Sequence, residues 1–360
     1  MASSKEDSTT AAAKQLGSMS LNRSAERNDE NTKPIAKSGT PAKLCSACGE
    51  NSVGLMKCGN CKCVWYCGKD CQNKHWKEHK KECKPIKKEL DERGGKLDVG
   101  NELDLGPLPD LPPREECPIC MHVLPLHAKL TGYAGCCGKI VCCACEFQHQ
   151  IRSEQQATER GQNLVSVTCV FCREPIPESD EEILTRLRKR IKRKDANALR
   201  NVALHYGYGY RGLSVDQAKC LELLHQSADL GFPLAQSLLG DFHHQGMMGL
   251  EQNEDEGLKY WERAAEGGHI NAQHNIGCAK ATNNDLFAAM HHWRLSASAG
   301  YRASMGTLIV YFEDGVLHHG DLAETLQAFY CARSEMKSKD RDAYIGYLKR
   351  TGKYREEYNF

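Results

Sequence analysis

Eight soft metal ligands crowd into the stretch from Cys45 to Cys83. They fall into four spaced pairs, Cys45-x2-Cys48, Cys58-x2-Cys61, Cys67-x3-Cys71 and His79-x3-Cys83. Four thiolate or imidazole donors complete one tetrahedral zinc site, so this stretch is expected to fold around two zinc ions. Every donor is Cys or His and each set is full. No position stays open for water, and the expected zincs are structural. Cys63 is a ninth thiol in the same stretch and is taken as a non-ligand, with Cys61 the better partner for Cys58.

The chain has 20 cysteines, 17 of them between Cys45 and Cys172, while Cys220, Cys278 and Cys331 are scattered. A disulfide scaffold is the competing explanation for so many thiols. The polar N-terminus MASSKEDSTTAAAKQLGS lacks the apolar core of a signal peptide, and most of the clustered thiols form CxxC-type pairs. Zinc in a reducing compartment fits better, so a cytoplasmic or nuclear location is expected. No apolar run reaches the roughly 18 residues of a membrane span. The net charge of +1 gives no global case for nucleic acid or an acidic membrane surface.

The expected organisation of the 360 residues is as follows. Residues 1–43 are Ser, Thr, Lys, Glu and Ala with almost nothing to bury, and are expected to be disordered. The first zinc module takes 44–84. Its part from Lys69 to Lys84 lacks Gly and Pro and is expected to form one or two short helices, setting His79 and Cys83 on one face. A Pro/Gly linker at 85–114 is too polar and broken for a core of its own. A second Cys-rich module spans 115–178. Residues 179–195 form a basic helix or linker with seven basic residues between Arg186 and Lys194. The run lacks interleaved aromatics, so it is expected to be a solvated helix, with nuclear import or RNA contact the alternative.

From 196 to 345 the apolar period is helical and the sequence repeats. Ala198, Ala235 and Ala272 are each 37 apart, Ala303 follows after 31, and Gly231, Gly268 and Gly300 close the second helix of each unit. Units of this period are helix–turn–helix pairs that must stack to bury their apolar faces. They resemble Sel1-like repeats, relatives of the tetratricopeptide class. Residues 346–360 are expected to be a tail. The fold class expected is therefore multidomain: two small zinc-stabilised modules followed by an all-α helical-repeat solenoid, the three standing in line.

The first zinc module resembles a MYND-type finger in the order of its pairs, in Tyr66-Cys67, in the Gln72 to Trp76 spacing and in His79-x3-Cys83. That resemblance implies interleaved sites, with Cys45, Cys48, Cys67 and Cys71 on one zinc and Cys58, Cys61, His79 and Cys83 on the other. It also implies binding of short proline-containing peptides, with Gln72 and Trp76 four apart on the binding face. The competing reading of Trp76 is a core residue of a small domain. The linker carries Pro109-x-Leu111-x-Pro113, the pattern such fingers prefer, which makes it a candidate for the finger's own groove.

In the second module the candidates are Cys117, Cys120, Cys136, Cys137, Cys142, Cys145, Cys169 and Cys172. CPIC at one end and CVFCREP at the other resemble a RING finger. Where that family has a ligating His this chain has Lys139, a poor zinc ligand. Either Cys136 supplies the missing donor, giving an all-cysteine variant, or His149 or another residue does. The cross-brace of the family implies Cys117, Cys120, Cys142 and Cys145 on one zinc. Cys136, Cys137, Cys169 and Cys172 then hold the other, and Cys143 is spare. Ligase RINGs hold a ubiquitin-conjugating (E2) enzyme through an apolar residue inside the first pair and a basic residue after the last ligand. Ile119 and Arg173 match, whereas Val170 stands where a proline is usual. Any chemistry would be catalysis by positioning.

No Ser-His-Asp set, phosphate loop or HExxH is present. The histidine pairs His243-His244, His291-His292 and His318-His319 are adjacent and are expected to face solvent or stack on repeat helices. The function expected is a zinc-binding adaptor or scaffold that recruits protein partners. The alternatives are a RING-type ubiquitin ligase and, with little support, a nucleic-acid binder.

Overall fold

The first finger is a short hairpin and one long helix. β1 (Met56–Lys57) pairs antiparallel with β2 (Trp65–Tyr66), and α1 runs from Lys69 to Glu92. The computed structural model describes residues 44–50, 54–95, 103, 105–108, 110–160 and 167–355, so the tail expected at 1–43 lies outside the described residues. Helix α1 does not stop before Pro85, as the rule for helix breakers suggests, but carries through it. A proline inside a helix forfeits one hydrogen bond and clashes with the preceding turn, a cost of about 3 kcal/mol. Ile86 and Leu90 extend the buried stripe of His75, His79 and Cys83 along the same face, and burying two such side chains offsets that cost at about 1.5–3 kcal/mol each.

The second module has the same parts in miniature. A 3-10 turn at Ala128–Leu130 leads into β3 (Thr131–Ala134), which pairs antiparallel with β4 (Lys139–Cys142), and α2 (Cys143–Glu159) follows. Next comes α3 (Asp180–Ile191), capped by the Ser179 hydroxyl, with Asp180, Glu181 and Glu182 in its first turn and Arg188, Lys189 and Arg190 in its last. That arrangement complements the helix dipole. Leu184 and Leu187 are buried while Arg188, Lys189, Lys192, Arg193 and Lys194 are exposed. The basic run is thus the outer face of an amphipathic helix.

Four helical hairpins make the solenoid: α4 (Ala196–Tyr208) with α5 (Gln217–Asp229), α6 (Pro233–Gln245) with α7 (Glu254–Glu266), α8 (Ile270–Thr282) with α9 (Leu286–Ser298), and α10 (Arg302–Glu313) with α11 (His319–Glu335). A last helix, α12 (Lys339–Arg350), runs past the boundary expected at 345. The third residue of each leading helix is small and fully buried: Ala198, Ala235, Ala272 and Ser304. The fourth position is therefore Ser304, and Ala303 is exposed. Alanine spacing alone misses this, because a buried serine does the same steric job one residue later. Gly231, Gly268 and Gly300 all have φ between +81° and +95° and end their helices with the N–H of the next residue bonded back into the last turn. Gly240 and Gly277 serve a different purpose. A β-carbon on either would lie 2.4 or 2.6 Å from the indole of Trp261 or Trp293, so both glycines let a tryptophan of the next helix seat against the backbone.

Asp241 ties three helices together. It accepts hydrogen bonds from Trp261 Nε1 at 3.0 Å and Asn275 Nδ2 at 3.1 Å, and burial pushes its carboxyl up to about 7. A carboxyl raised above its ordinary value of 3.8 stabilises the fold fully below about pH 4. That contribution fades as the pH rises and is gone above about pH 7. Asp241→Asn keeps an oxygen acceptor without the charge. We expect it to stabilise the chain at pH 8 by about 1–2 kcal/mol, a figure reduced for partial solvent access, and to leave pH 4 stability unchanged. Urea titrations at the two pH values measure this; parallel pH profiles for both proteins would refute it.

The modules do not stand in line. The chain folds back so that the first finger and the end of the solenoid share one hydrophobic core. It joins Val64, Tyr66, Ile86 and Leu90 to Met290, Trp293, Leu308, Phe312, Leu322 and Phe329. The second module also touches the solenoid at both ends. Tyr133 donates to Asp195 at the start of α4 at 2.8 Å. Phe147 packs on Tyr344 and Tyr347 of α12, and Arg341 donates to the Val123 carbonyl at 2.6 Å. Among the described residues no helix is long and apolar enough to cross a membrane.

Candidate metal centres and docking faces

The structure gathers the candidate ligands into four groups of four: Cys45, Cys48, Cys67, Cys71; Cys58, Cys61, His79, Cys83; Cys117, Cys120, Cys142, Cys145; and Cys136, Cys137, Cys169, Cys172. Within each group all donor atoms lie within 4.8 Å of one another. The first pair of groups is interleaved along the chain and the second pair is cross-braced. Each group has a CxxC turn that brings two donors; in the first three a helix or its start brings others, and in the fourth Cys136 and Cys137 come from the turn between β3 and β4. Helix α1 carries Cys71, His79 and Cys83, and the first residues of α2 carry Cys145.

These separations fit a shared zinc ion. Tetrahedral bonds of about 2.3 Å put two sulfurs about 3.8 Å apart. One separation in each group is 3.9 Å for Cys48–Cys67, 3.8 Å for Cys58–Cys83, 3.8 Å for Cys117–Cys145 and 4.0 Å for Cys137–Cys169, while Cys67–Cys71, Cys142–Cys145 and Cys136–Cys172 are closer at 3.3, 3.4 and 3.4 Å. All are far longer than the roughly 2.0 Å of a disulfide. The thiols also perturb one another in the way a cation would relieve. Hydrogen bonds from Cys61 and Cys83 hold the Cys58 thiol well below its ordinary value, and the resulting thiolate pushes Cys61 and Cys83 well above theirs. Cys117 and Cys145 are opposed in the same manner. A divalent ion would compensate several thiolates held this close together.

The solenoid supplies part of the finger's outer shell. His79 turns Nε2 toward Cys61 Sγ at 3.4 Å and Nδ1 toward the Tyr330 hydroxyl at 3.2 Å, and that hydroxyl donates to Glu82 at 2.9 Å. A partner on the far nitrogen fixes the tautomer and ring orientation of a ligating histidine. His319 lies 3.1 Å from the Cys61 carbonyl and 3.3 Å from Cys63 Sγ, and Gln327 bridges Ser46 and the Leu44 carbonyl. Of the two placements expected, facing solvent or stacking on a repeat helix, His319 takes the second: it is buried at an interface with its ring beside Phe312. His243 stacks on Tyr260 and His244 packs on Trp261. The sequence carries no signal for Tyr330, His319 or Gln327, which reach the finger from about 250 residues away.

Cys63 and Cys143 stay outside the four groups; Cys143 Sγ instead faces the Lys129 carbonyl at 3.5 Å. Lys139 lies over the Phe171 ring, 5.6 Å from its centroid. His149 is also outside the groups. Its Nε2 is 3.2 Å from Thr168 Oγ1, and Arg173 reaches its Nδ1 at 3.2 Å.

Two faces remain to be placed. Gln72 and Trp76 share one side of α1 and are half-buried, Trp76 with part of its ring against the common core. Ile119 is exposed, as are Met121 and Phe171 on the tips of the CxxC turns. Arg173 adopts a left-handed backbone at φ 65° and, through His149, turns toward α2.

Comparison with known proteins agrees with this division. Residues 45–83 match the MYND finger family, and residues 196–232 and 233–269 each match the Sel1 repeat. A SET and MYND domain-containing protein of Dictyostelium discoideum is 47% identical over 49 residues, 12% of this chain and 9% of that protein. The human N-lysine methyltransferase SMYD2 is 45% identical over 42 residues, 12% of this chain and 10% of its own length. The chain thus spans about a tenth of the length of the curated relatives it matches. Among solved structures, a Sel1 repeat protein from Oxalobacter formigenes aligns with 35% of this chain and 96% of its own, at 24% identity and a TM-score of 0.33. The protective antigen c5321 of uropathogenic Escherichia coli aligns with 59% and 43%, at 17% identity and a TM-score of 0.37. The chain therefore carries a MYND finger at 45–83 and Sel1 repeats at 196–269 within a larger helical solenoid.

Proposed function

We propose that this chain is a protein-interaction adaptor that recruits partners through its MYND finger and its helical repeats. The observation that carries this is the closure of all four ligand groups around four Cys or His donors each, on modules packed against one solenoid. Closed sites build shape and leave no coordination position for a reacting water. In this reading Cys45, Cys48, Cys67 and Cys71 hold one zinc and Cys58, Cys61, His79 and Cys83 a second. Cys117, Cys120, Cys142 and Cys145 hold a third, and Cys136, Cys137, Cys169 and Cys172 a fourth. Elemental analysis should then return four zincs per chain, and two would confine the metal to the finger.

Gln72 and the open part of Trp76 present a proline-containing peptide with an apolar ledge beside an amide. Titration with a peptide carrying Pro-Asp-Leu-Pro-Pro tests this. Gln72→Ala and Trp76→Ala should each weaken binding about tenfold or more, and binding indifferent to both substitutions overturns the assignment. The lysine methyltransferases among the relatives share only about a tenth of their length with this chain, and no methyl transfer is proposed here.

A second reading rests on the exposed Ile119, Met121 and Phe171 at the tips of the second module. Apolar side chains displayed on rigid turns are what a ubiquitin-conjugating enzyme would need for docking. Autoubiquitination across a panel of such enzymes, lost in Ile119→Ala, would make the chain a RING-type ligase. No product with any of them leaves it an adaptor.

A further inference from the structure

The linker that follows the finger is held along the solenoid by a set of side chains that read its backbone. The Leu103 N–H donates to the Val316 carbonyl at 2.8 Å, in a short parallel bridge with Leu317. The Leu105 N–H donates to the Asp321 carboxylate at 2.9 Å, the Gly106 carbonyl accepts from Arg294 at 2.9 Å, and the Leu108 N–H donates to Glu324 at 3.1 Å. Leu103 and Leu105 pack their side chains on the common core. Farther along, Pro112 lies against the Gly268 turn, and Arg114 pairs with Glu335 and donates to the Ala299 and Ala332 carbonyls. The proline motif expected to return to the finger's groove belongs instead to a segment the solenoid holds. Pro109 itself lies outside the described residues.

The readers are also tied to one another. Arg294 is only 1% exposed in its side chain, with Asp321 at 3.2 Å and Glu324 at 2.8 Å, and its Nε donates to Thr325 at 3.2 Å. Each carboxylate has oxygens enough to hold the guanidinium and still accept a peptide N–H. The contacts from Leu105 to Leu108 require a chain that bends at Gly106, where φ is 69°, a leucine side chain at the partly buried position 105 and two unsubstituted amides. They require nothing specific of Pro107, which is exposed.

We propose that this edge of α9 and α11 is a second peptide-binding site, built for a leucine-containing segment that bends at a glycine. Residues 103, 105–108 and 110–114 belong to its resident cis ligand, displaced when a partner protein offers a segment of the same chemistry. A tethered ligand sits at an effective concentration in the millimolar range, so the closed state masks the site from weaker competitors. The inference deepens the adaptor reading by naming what the repeats bind, and it does not depend on the finger's groove.

The test uses the full, zinc-loaded chain and a fluorescent peptide of residues 100–108, Gly-Asn-Glu-Leu-Asp-Leu-Gly-Pro-Leu, which lacks the Pro-x-Leu-x-Pro pattern. Leu105→Pro with Leu108→Pro removes the two amide N–H groups that Asp321 and Glu324 read. This opened variant should bind the peptide at least tenfold more tightly than the wild type, and adding Glu324→Ala should reverse the gain by about tenfold. An opened variant with wild-type helix content that binds no better, or binds equally well with Glu324→Ala, overturns the proposal. Hydrogen exchange on the unaltered protein gives a second measure. The Leu105 and Leu108 amides should be protected, and millimolar peptide should speed their exchange; unchanged protection overturns it as well. A failure here with intact Pro-Asp-Leu-Pro-Pro binding would leave the finger's role standing.

Discussion

Cys83→Ser is expected to destabilise the end of the solenoid as well as the finger in which the residue sits. Small structural zinc sites are worth about 10 kcal/mol or more of folding free energy, and losing one of four donors forfeits a large part of that. The finger's ligands lie in the same core as Phe312, Leu326 and Phe329, so its loss uncovers the inner face of α11. Hydrogen exchange should show α1 and α11 losing protection together, with α5 to α7 little changed. Protection of α11 that survives in Cys83→Ser, or under chelation, would mean the two regions fold independently. Tyr330→Phe gives a graded version. It removes the hydroxyl shared by His79 and Glu82 and should weaken zinc retention about 10- to 100-fold without dismantling the core.

Arg294→Met should be the most damaging single change in the solenoid outside the clusters. The substitution preserves bulk but strands Asp321 and Glu324 without their counter-charge, and Asp321 is almost wholly buried. Breaking a buried ion pair from one side costs about 3–5 kcal/mol. Urea unfolding should show a midpoint shift of that size, partly restored by Asp321→Asn in the same chain. A shift below about 1 kcal/mol would show that the guanidinium is better hydrated than its burial indicates.

What was legible in the sequence follows from distance along the chain. Ligand pairs such as Cys58-x2-Cys61 and His79-x3-Cys83 are local, and their chemistry leaves few alternatives. The helical period and the closing glycines at 231, 268 and 300 are local too. Lys139 marked the gap in the second module, and the structure brings Cys136 beside Cys172 at 3.4 Å. Helix α1 was misjudged at Pro85 because burial of Ile86 and Leu90 against the solenoid overrides a local rule. Position 304 was missed because serine and alanine do the same steric work when buried. The docking of both zinc modules was invisible for a deeper reason. Contacts such as His79 to Tyr330 and Arg341 to Val123 join single ordinary residues across more than 200 positions. No periodicity announces them.

The grip of the second module on both Asp195 and α12 has a consequence for how the solenoid comes apart. Stacked repeats behave as a one-dimensional lattice that frays from its free ends and tolerates partial unfolding. Here the second module grips both the start of the first helix and the last helix. Fraying at either end must therefore break contacts with the second module, which an open stack of repeats would not have to do. The same closure orders events at birth: the Arg341 bond spans 218 residues, so the ring cannot shut until the last helix has left the ribosome.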